Sequence, residues 1–253
     1  MKDEHLETAV TKVPEITLVF WIIKILATTL GETGGDALSM SMNLGYLLST
    51  GIFAVVFLFA VGVQIRARKF HPVIYWTTII ATTTVGTTLA DFADRSLGIG
   101  YAGGSSLLLI LLLASLTIWR QTMGSVSVST VNSPRTEMFY WITIMFSQTL
   151  GTALGDWTAD SAGLGYDGAA LVFAGLLALV ALAYYRTRIS HTVLFWAAFI
   201  LTRPLGAVVG DFLDKPVHSG GLGLSRYAAT TALLGAIALM MVVSKHRPAQ
   251  SRH

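Results

Sequence analysis

Four aspartates occupy the same place in a repeated pattern of residues. Each one ends the pattern [FY]-W-x9-G-x3-[GA]-D, in which an aromatic residue, a tryptophan and two small residues precede the carboxylate. Carboxylate oxygens bind hard cations such as Mg²⁺ and Mn²⁺, and a carboxylate can also carry a proton. If the chain gathers the four copies around one axis, they form a cation site. These aspartates are Asp36, Asp91, Asp156 and Asp211.

A second acidic residue stands three or four positions from each of these aspartates. The second acids are Glu32, Asp94, Asp160 and Asp214. On a helix this spacing puts both carboxylates on one face, where like charges repel, so a bound cation, a shared proton or a nearby base should compensate them. For the three aspartates of this second set, the sequence favours a helix-ending acid in a wet outer turn, with Arg95 and Lys215 as adjacent neutralising bases.

Glu32 belongs with the site, because its counterparts in the other three copies are not acidic. The predicted metal ligands are Glu32, Asp36, Asp91, Asp156 and Asp211. Threonine hydroxyls on the same stretches would complete an oxygen-rich site for substrate, and the candidates are Thr29, Thr84 and Thr149. The alternative for each threonine is a hydrogen bond to the preceding carbonyl of its own helix.

Two basic residues, Lys24 and Arg203, lie inside apolar stretches. An ionisable group at such depth is a functional hypothesis by default, and it needs a partner. We assign Arg203 to the substrate site as a fixed counter-charge, with Glu32 or Asp211 as its partner. For Lys24 two interpretations stay open, a role in the site or a side chain that extends to the cytoplasmic edge.

The composition predicts an integral membrane protein. The chain has 253 residues, of which 53% are hydrophobic and 12% charged, with a mean hydropathy of +0.65. Eight apolar segments are each long enough to cross a hydrocarbon core of about 30 Å as a helix. They span about 15–37, 45–64, 72–93, 101–119, 137–158, 166–185, 191–213 and 224–244. We therefore expect an all-α membrane protein of eight transmembrane helices.

The distribution of charge predicts the orientation. Twelve lysines and arginines lie in the two terminal tails and in the three connections that follow every second segment, on one side of an eight-helix topology. The positive-inside rule places that side, with both termini, in the cytoplasm. Since the basic residues are explained by topology, nucleic-acid binding is not expected. The chain has no cysteine, which excludes disulfides, thiolate metal ligands and thiol catalysis.

The pattern divides the chain into four repeats of two segments each, at 15–65, 71–119, 135–185 and 190–244. The tryptophan of the pattern recurs at an offset of 120 residues between the two halves, as expected for a duplicated pair. A cytoplasmic tail, 1–14, precedes this single transmembrane domain, 15–244, and another, 245–253, follows it. Because each repeat crosses the membrane twice, all copies point the same way, and the pseudo-symmetry axis should follow the membrane normal.

The two segments of a repeat differ in composition, which predicts their positions. The third segment contains seven threonines, whereas the fourth is nearly continuous leucine. Small and hydroxyl-bearing residues suit close helix packing, and small-xxx-small pairs such as Gly31 and Gly35 let two backbones approach. We therefore expect four tandem helical hairpins, with the odd helices inside and the even helices against lipid.

These residues carry a resemblance to a known family. With Trp21, Trp76, Trp141 and Trp196 as the marked residue of each copy, the chain resembles bacterial integral membrane proteins of unknown function built from four tandem repeats, each with two transmembrane segments. The resemblance covers about 15–244. It implies the four-repeat architecture in a bacterial inner membrane, and it implies no chemistry.

The function that the residues favour is transport of a hard cation, such as manganese, magnesium or a proton-coupled ion, with a bound divalent cation at the carboxylates. The absence of cysteine, and of histidine from the membrane interior, since His71 and His191 stand at the beginnings of segments, argues against copper or zinc. The alternative is a membrane scaffold or regulator that transports nothing, in which the acids and glycines are structural. An enzyme ranks last, because the sequence contains no phosphate-binding loop and no nucleophile-base motif.

Overall fold

The chain folds into eight α-helices within residues 11–249, which are the residues that the structure, a computed structural model, describes. The predicted tails 1–14 and 245–253 therefore lie partly outside the described residues. The helices are α1 Leu18–Asp36, α2 Gly45–Arg66, α3 Pro72–Asp91, α4 Gly100–Met123, α5 Pro134–Asp156, α6 Gly165–Arg186, α7 His191–Asp214 and α8 Arg226–Val243. The all-α prediction is confirmed.

Seven of these helices are long and apolar enough to cross a membrane, when only the described residues are considered. The exception is α5, which has 23 residues but carries the polar side chains Ser147 and Gln148 in its middle. Both side chains are fully buried, so the polarity of α5 is directed into the protein. The chain is a multi-pass membrane protein.

The odd helices form an inner ring, in which α1 packs against α3 and α7, and α5 packs against the same two helices. In α1, α3 and α7, between 61% and 72% of the residues in the most apolar stretch are buried, against 11% to 22% in the even helices. The predicted division into inner and outer helices is confirmed. Each even helix packs mainly against the odd helix of the next repeat, and α8 closes the ring by packing against α1.

Close contacts between neighbouring inner helices depend on one glycine of each repeat. A Cβ atom added to this glycine would collide with, or press tightly on, a residue of the next odd helix. The pairs are Gly31 with Thr83, Gly86 with Gln148, Gly151 with Arg203 and Gly206 with Thr28. The four contacted residues are themselves equivalent in the repeat, so the glycines set one layer of side chains at the same depth around the axis.

The outer turns of the repeats are of two kinds. After the repeat aspartate, three repeats continue in a short π-helical turn, at Ala37–Ser41, Phe92–Ser96 and Trp157–Ser161. In the fourth repeat α7 instead runs on to Asp214, and a longer loop with a 3₁₀ turn at Val217–Ser219 follows. The late glycine motif of the fourth copy, "GLGL", lies after this loop.

Aromatic side chains fill the ring at the end that carries the two termini. Tyr75 and Tyr140 are fully buried, and their hydroxyl oxygens lie 2.6 Å apart. Trp76, Trp141 and Trp196 are buried around them, within 5.1 to 6.3 Å of a tyrosine ring between centroids. Three of the four repeat tryptophans therefore pack the core.

Candidate functional site

The four repeat aspartates lie at the outer end of the ring, where each is buried, but Asp156 is not among the carboxylates that lie close enough together to share a cation. Two basic side chains hold the four aspartates in two pairs. Lys215 Nζ lies 2.6 Å from Asp36 Oδ2 and 3.0 Å from Asp211 Oδ1. Arg95 lies 3.3 Å from Asp91 Oδ1 through Nε and 3.1 Å from Asp156 Oδ2 through Nη2. We call these six residues the outer cluster.

The outer cluster follows the duplication of the chain. An offset of 120 residues converts Arg95, Asp91 and Asp36 into Lys215, Asp211 and Asp156. Each base therefore bridges the aspartate of its own repeat and that of the next repeat around the ring. Burial lowers the pKa of the Lys215 ammonium, but its carboxylate neighbours raise it more, so the pKa lies well above its usual value and this base stays protonated.

This bridging differs from the expectation that Arg95 and Lys215 neutralise the second acids next to them. The bridges run instead to the repeat aspartates, from Arg95 in the π-helical turn after α3 and from Lys215 directly after α7. Of the second acids, Asp94 and Asp214 are buried and Asp160 is exposed. The carboxylate oxygens of both buried aspartates have no hydrogen-bond partner, but Asp214 forms an ion pair with Arg226 of α8 at 3.4 Å. A solvated outer turn therefore describes Asp160 alone.

Arg203 and Glu32 form the inner part of the site. Arg203 Nη2 lies 2.9 Å from Glu32 Oε2, and both side chains are almost completely buried. The same nitrogen donates to the hydroxyl oxygens of Thr87 at 2.6 Å and Thr152 at 2.5 Å. Of the two predicted partners of Arg203, the structure selects Glu32. Thr87 and Thr152 are the repeat counterparts of Glu32, so one layer of the ring holds all three acceptors.

Glu32 links the inner part of the site to the outer cluster. Its carboxylate has an oxygen within 4.8 Å of oxygens of Asp36 and Asp91, and all three residues are buried. A second group of the same kind joins Asp36, Asp211 and Asp214. Each group brings oxygen ligands close enough for one hard cation. Asp36 belongs to both groups, and its Oδ1 atom is buried without a hydrogen-bond partner.

The three remaining candidates, Thr29, Thr84 and Thr149, are buried but make local hydrogen bonds. Each hydroxyl donates to the carbonyl four residues earlier in its own helix, at 2.7 to 3.0 Å. Among the hydrogen bonds of residues 11–249, none joins these threonines to a carboxylate. The hydroxyl groups that contact the site belong instead to Thr87 and Thr152, which the alignment of the repeats identifies as counterparts of Glu32.

Lys24 does not extend to the cytoplasmic edge. Its side chain is fully buried, with Nζ 3.3 Å from the hydroxyl oxygen of Thr202 and 4.0 Å from the ring centroid of Phe199. No carboxylate of the described residues lies within ion-pair distance of it. A desolvated cation–π contact contributes about 2 kcal/mol, which is less than the several kcal/mol that burying an ion costs. The two observed contacts therefore do not balance a charged Lys24.

The charges of the outer cluster and its surroundings do not cancel. Seven carboxylates are buried here, and four basic residues make ion pairs with them. The acids are Glu32, Asp36, Asp91, Asp94, Asp156, Asp211 and Asp214, and the bases are Arg95, Arg203, Lys215 and Arg226. Because unpaired buried carboxylates are costly, cations or protons must supply the missing positive charge.

Comparison with protein families identifies the Repeat of Unknown Function (DUF347), which matches the chain at four places, residues 19–70, 74–125, 139–190 and 194–247. The four matches coincide with the four two-helix repeats. Neither the curated proteins nor the solved structures contain a significant match.

Proposed function

The chain belongs to the DUF347 repeat family, whose function is unknown, and we propose that it is a membrane transporter for a hard cation. The excess of buried carboxylates over the basic residues that pair with them carries this proposal. Oxygen ligands without sulfur or imidazole suit magnesium, manganese or a proton-coupled ion. In this proposal Glu32, Asp36, Asp91, Asp156 and Asp211 bind the cation, and Arg203 is a fixed counter-charge. The protein is a carrier and catalyses no covalent reaction.

Asp36 is the ligand on which the proposal depends most. It is shared by both groups of close carboxylates, it accepts the shortest ion pair of the outer cluster, from Lys215, and its other oxygen is unpartnered. A cation that binds there would compete with Lys215 for the carboxylate. Displacement of Lys215 would then release Asp211 as well, which couples cation binding to a rearrangement at the contact between α7 and α1.

The orientation of the proposed transporter follows from its charges. The two ends of the described chain lie together, since Pro14 pairs with Pro248 and Ala249 N–H donates to the Val13 carbonyl at 2.8 Å. The basic connections lie on that side, which we assign to the cytoplasm of the cell that carries the protein. The outer cluster then faces the external side of the membrane. The partners of the proposed transporter are the lipid bilayer and the transported cation.

A scaffold without transport activity is the second candidate, and the closed axis favours it. The side chains of Thr28, Thr83, Gln148 and Arg203 are all fully buried, so the inner ring is shut at this depth. Arg203 also joins all four inner helices as a structural link would. Transport requires that this layer opens, whereas a scaffold keeps it shut.

Cation flux into proteoliposomes separates the two candidates. Purified protein is reconstituted into liposomes that contain a dye sensitive to Mn²⁺, Mg²⁺ or pH, and an inward gradient of each cation is applied. We expect saturable flux of at least one cation, reduced about tenfold or more by Asp36→Asn. The matched control is Asp167→Asn, since Asp167 is exposed in the first turn of α6.

Folding of the variants is verified by gel filtration and thermal unfolding. If the unaltered protein moves none of the tested cations, or if Asp36→Asn moves them at the unaltered rate, the transport proposal is wrong. A scaffold predicts the first of these results, with Asp36→Asn changing stability alone.

A further inference from the structure

The inner ring carries a second polar region one to two turns below Glu32, on the side of the termini. This inner region consists of Lys24 and of Gln148, Thr83 and Ser147, all fully buried. They come from α1, α5 and α3, three of the four helices of the ring. The proposed cation transport leaves these residues without a role. We propose that the inner region is a binding site for one small inorganic anion between Lys24 and Gln148.

The first argument is the charge of Lys24. Its ammonium group contacts a hydroxyl oxygen and an aromatic ring, and the charged side chain that acts on it is another cation, Arg203. The Arg203 charge is already paired with Glu32. Lys24 therefore lacks a counter-charge in the part of the chain that the structure describes, and a bound anion would supply it.

The second argument is the set of unused hydrogen-bonding atoms around it. Both amide atoms of Gln148 and the hydroxyl oxygens of Thr83 and Ser147 are buried without a hydrogen-bond partner. Buried polar groups are nearly always hydrogen-bonded, so these four atoms are available to a bound ligand. The Gln148 amide N–H and the two hydroxyl groups can all donate to an anion.

The surroundings limit the size of the ligand. At the depth of Lys24 itself, its repeat counterparts Ile79, Ile144 and Phe199 are fully buried. Toward the outer cluster, the head group of Arg203 is held by three acceptors. A monatomic anion such as chloride suits this closed position better than a phosphate or a carboxylate. One ammonium and neutral N–H and O–H donors also match a single negative charge.

Thermal unfolding in two salts tests the proposal. The purified protein is compared in sodium chloride and in sodium gluconate, whose anion is too large for the site, at equal ionic strength. We expect a saturable rise in Tm with chloride alone, of roughly 3 to 6 °C at about 150 mM for a Kd of about 10 mM. Lys24→Met and Gln148→Leu should each abolish this chloride dependence. The control is Lys69→Met, since Lys69 is an exposed lysine between α2 and α3.

Equal Tm values in the two salts overturn the proposal, and so does a chloride dependence that survives in Gln148→Leu. Crystals grown with bromide give a second, direct readout. An anomalous peak between Lys24 and Gln148 supports the site, and its absence there shows that water fills the region. These measurements use no cation gradient, so their failure is distinguishable from failure of the transport proposal.

Discussion

At the scale of single residues, Arg203 is where the four inner helices meet. It belongs to α7, and its Nη2 atom contacts Glu32 of α1, Thr87 of α3 and Thr152 of α5. The buried ion pair of Arg203 and Glu32 contributes little net stability when it forms, but removing one of its two partners is costly. Removing one partner of a buried pair leaves an uncompensated charge, whereas replacing both with apolar residues is often neutral or stabilising.

Glu32→Gln should therefore destabilise the protein by about 3–5 kcal/mol, because the Arg203 guanidinium stays buried and charged. The double variant Glu32→Met with Arg203→Met should recover most of this loss, since no charge remains. Thermal and denaturant unfolding in detergent measures both effects, with Asp167→Asn as the control. If the double variant is as unstable as the sum of Glu32→Met and Arg203→Met measured separately, the pair does not act as a unit.

The sequence narrowed the partner of Arg203 to Glu32 or Asp211, because a deep charge needs a partner and few candidates exist, and the structure shows Glu32. The bridges of Arg95 and Lys215 could not be predicted. Sequence proximity pointed to the neighbouring Asp94 and Asp214, but the bridge partners Asp156 and Asp36 lie 61 and 179 residues away along the chain. They meet through packing of α3 on α5 and of α7 on α1, which local spacing does not encode.

At the scale of helices, the repeat predicted the elements and the inner ring but not which helices touch. Two antiparallel helices joined by a short turn suggest a packed hairpin, yet α2 packs mainly against α3, and α8 packs against α1. The repeat pattern is the same for either arrangement. The glycines show how the ring closes, because each one receives a side chain from the next odd helix.

Gly206→Ala should therefore destabilise the contact between α7 and α1. An added Cβ atom would lie 2.9 Å from the backbone carbonyl carbon of Thr28, so neither helix can yield by a side-chain rotation alone. Overpacking of this kind costs about 1–3 kcal/mol. Gly175→Ala on α6 is the matched control, as it meets no atom within 4 Å, and alanine there should stabilise by up to about 1 kcal/mol. Equal stability of the two variants would show that the close approach is unimportant.

At the scale of the whole molecule, the N-terminal segment covers the ring at the end that carries the two termini. Lys12 Nζ lies 2.6 Å from Glu137 Oε1 of α5 and donates to the Ile65 carbonyl at 3.0 Å near the end of α2. The backbone of the segment is also paired, since Lys12 N–H donates to Val131 and Glu15 N–H to Arg247. Residues 11–17 therefore connect the first repeat, the third repeat and the C-terminal tail.

The Lys12–Glu137 pair should decide how firmly this segment is held. Glu137→Gln leaves the ammonium without its counter-charge, so exchange of the Lys12 and Glu15 amide protons should accelerate about tenfold or more, equivalent to about 1.4 kcal/mol. The exchanged pair Lys12→Glu with Glu137→Lys should restore much of the protection, because the opposite charges still meet. Glu15→Gln is the control, since Glu15 is exposed in the same segment. Hydrogen exchange of residues 11–17 is followed by mass spectrometry in the unaltered protein, Glu137→Gln, the exchanged pair and Glu15→Gln. Unchanged exchange in Glu137→Gln would show that the backbone hydrogen bonds, and not the ion pair, hold the segment in place.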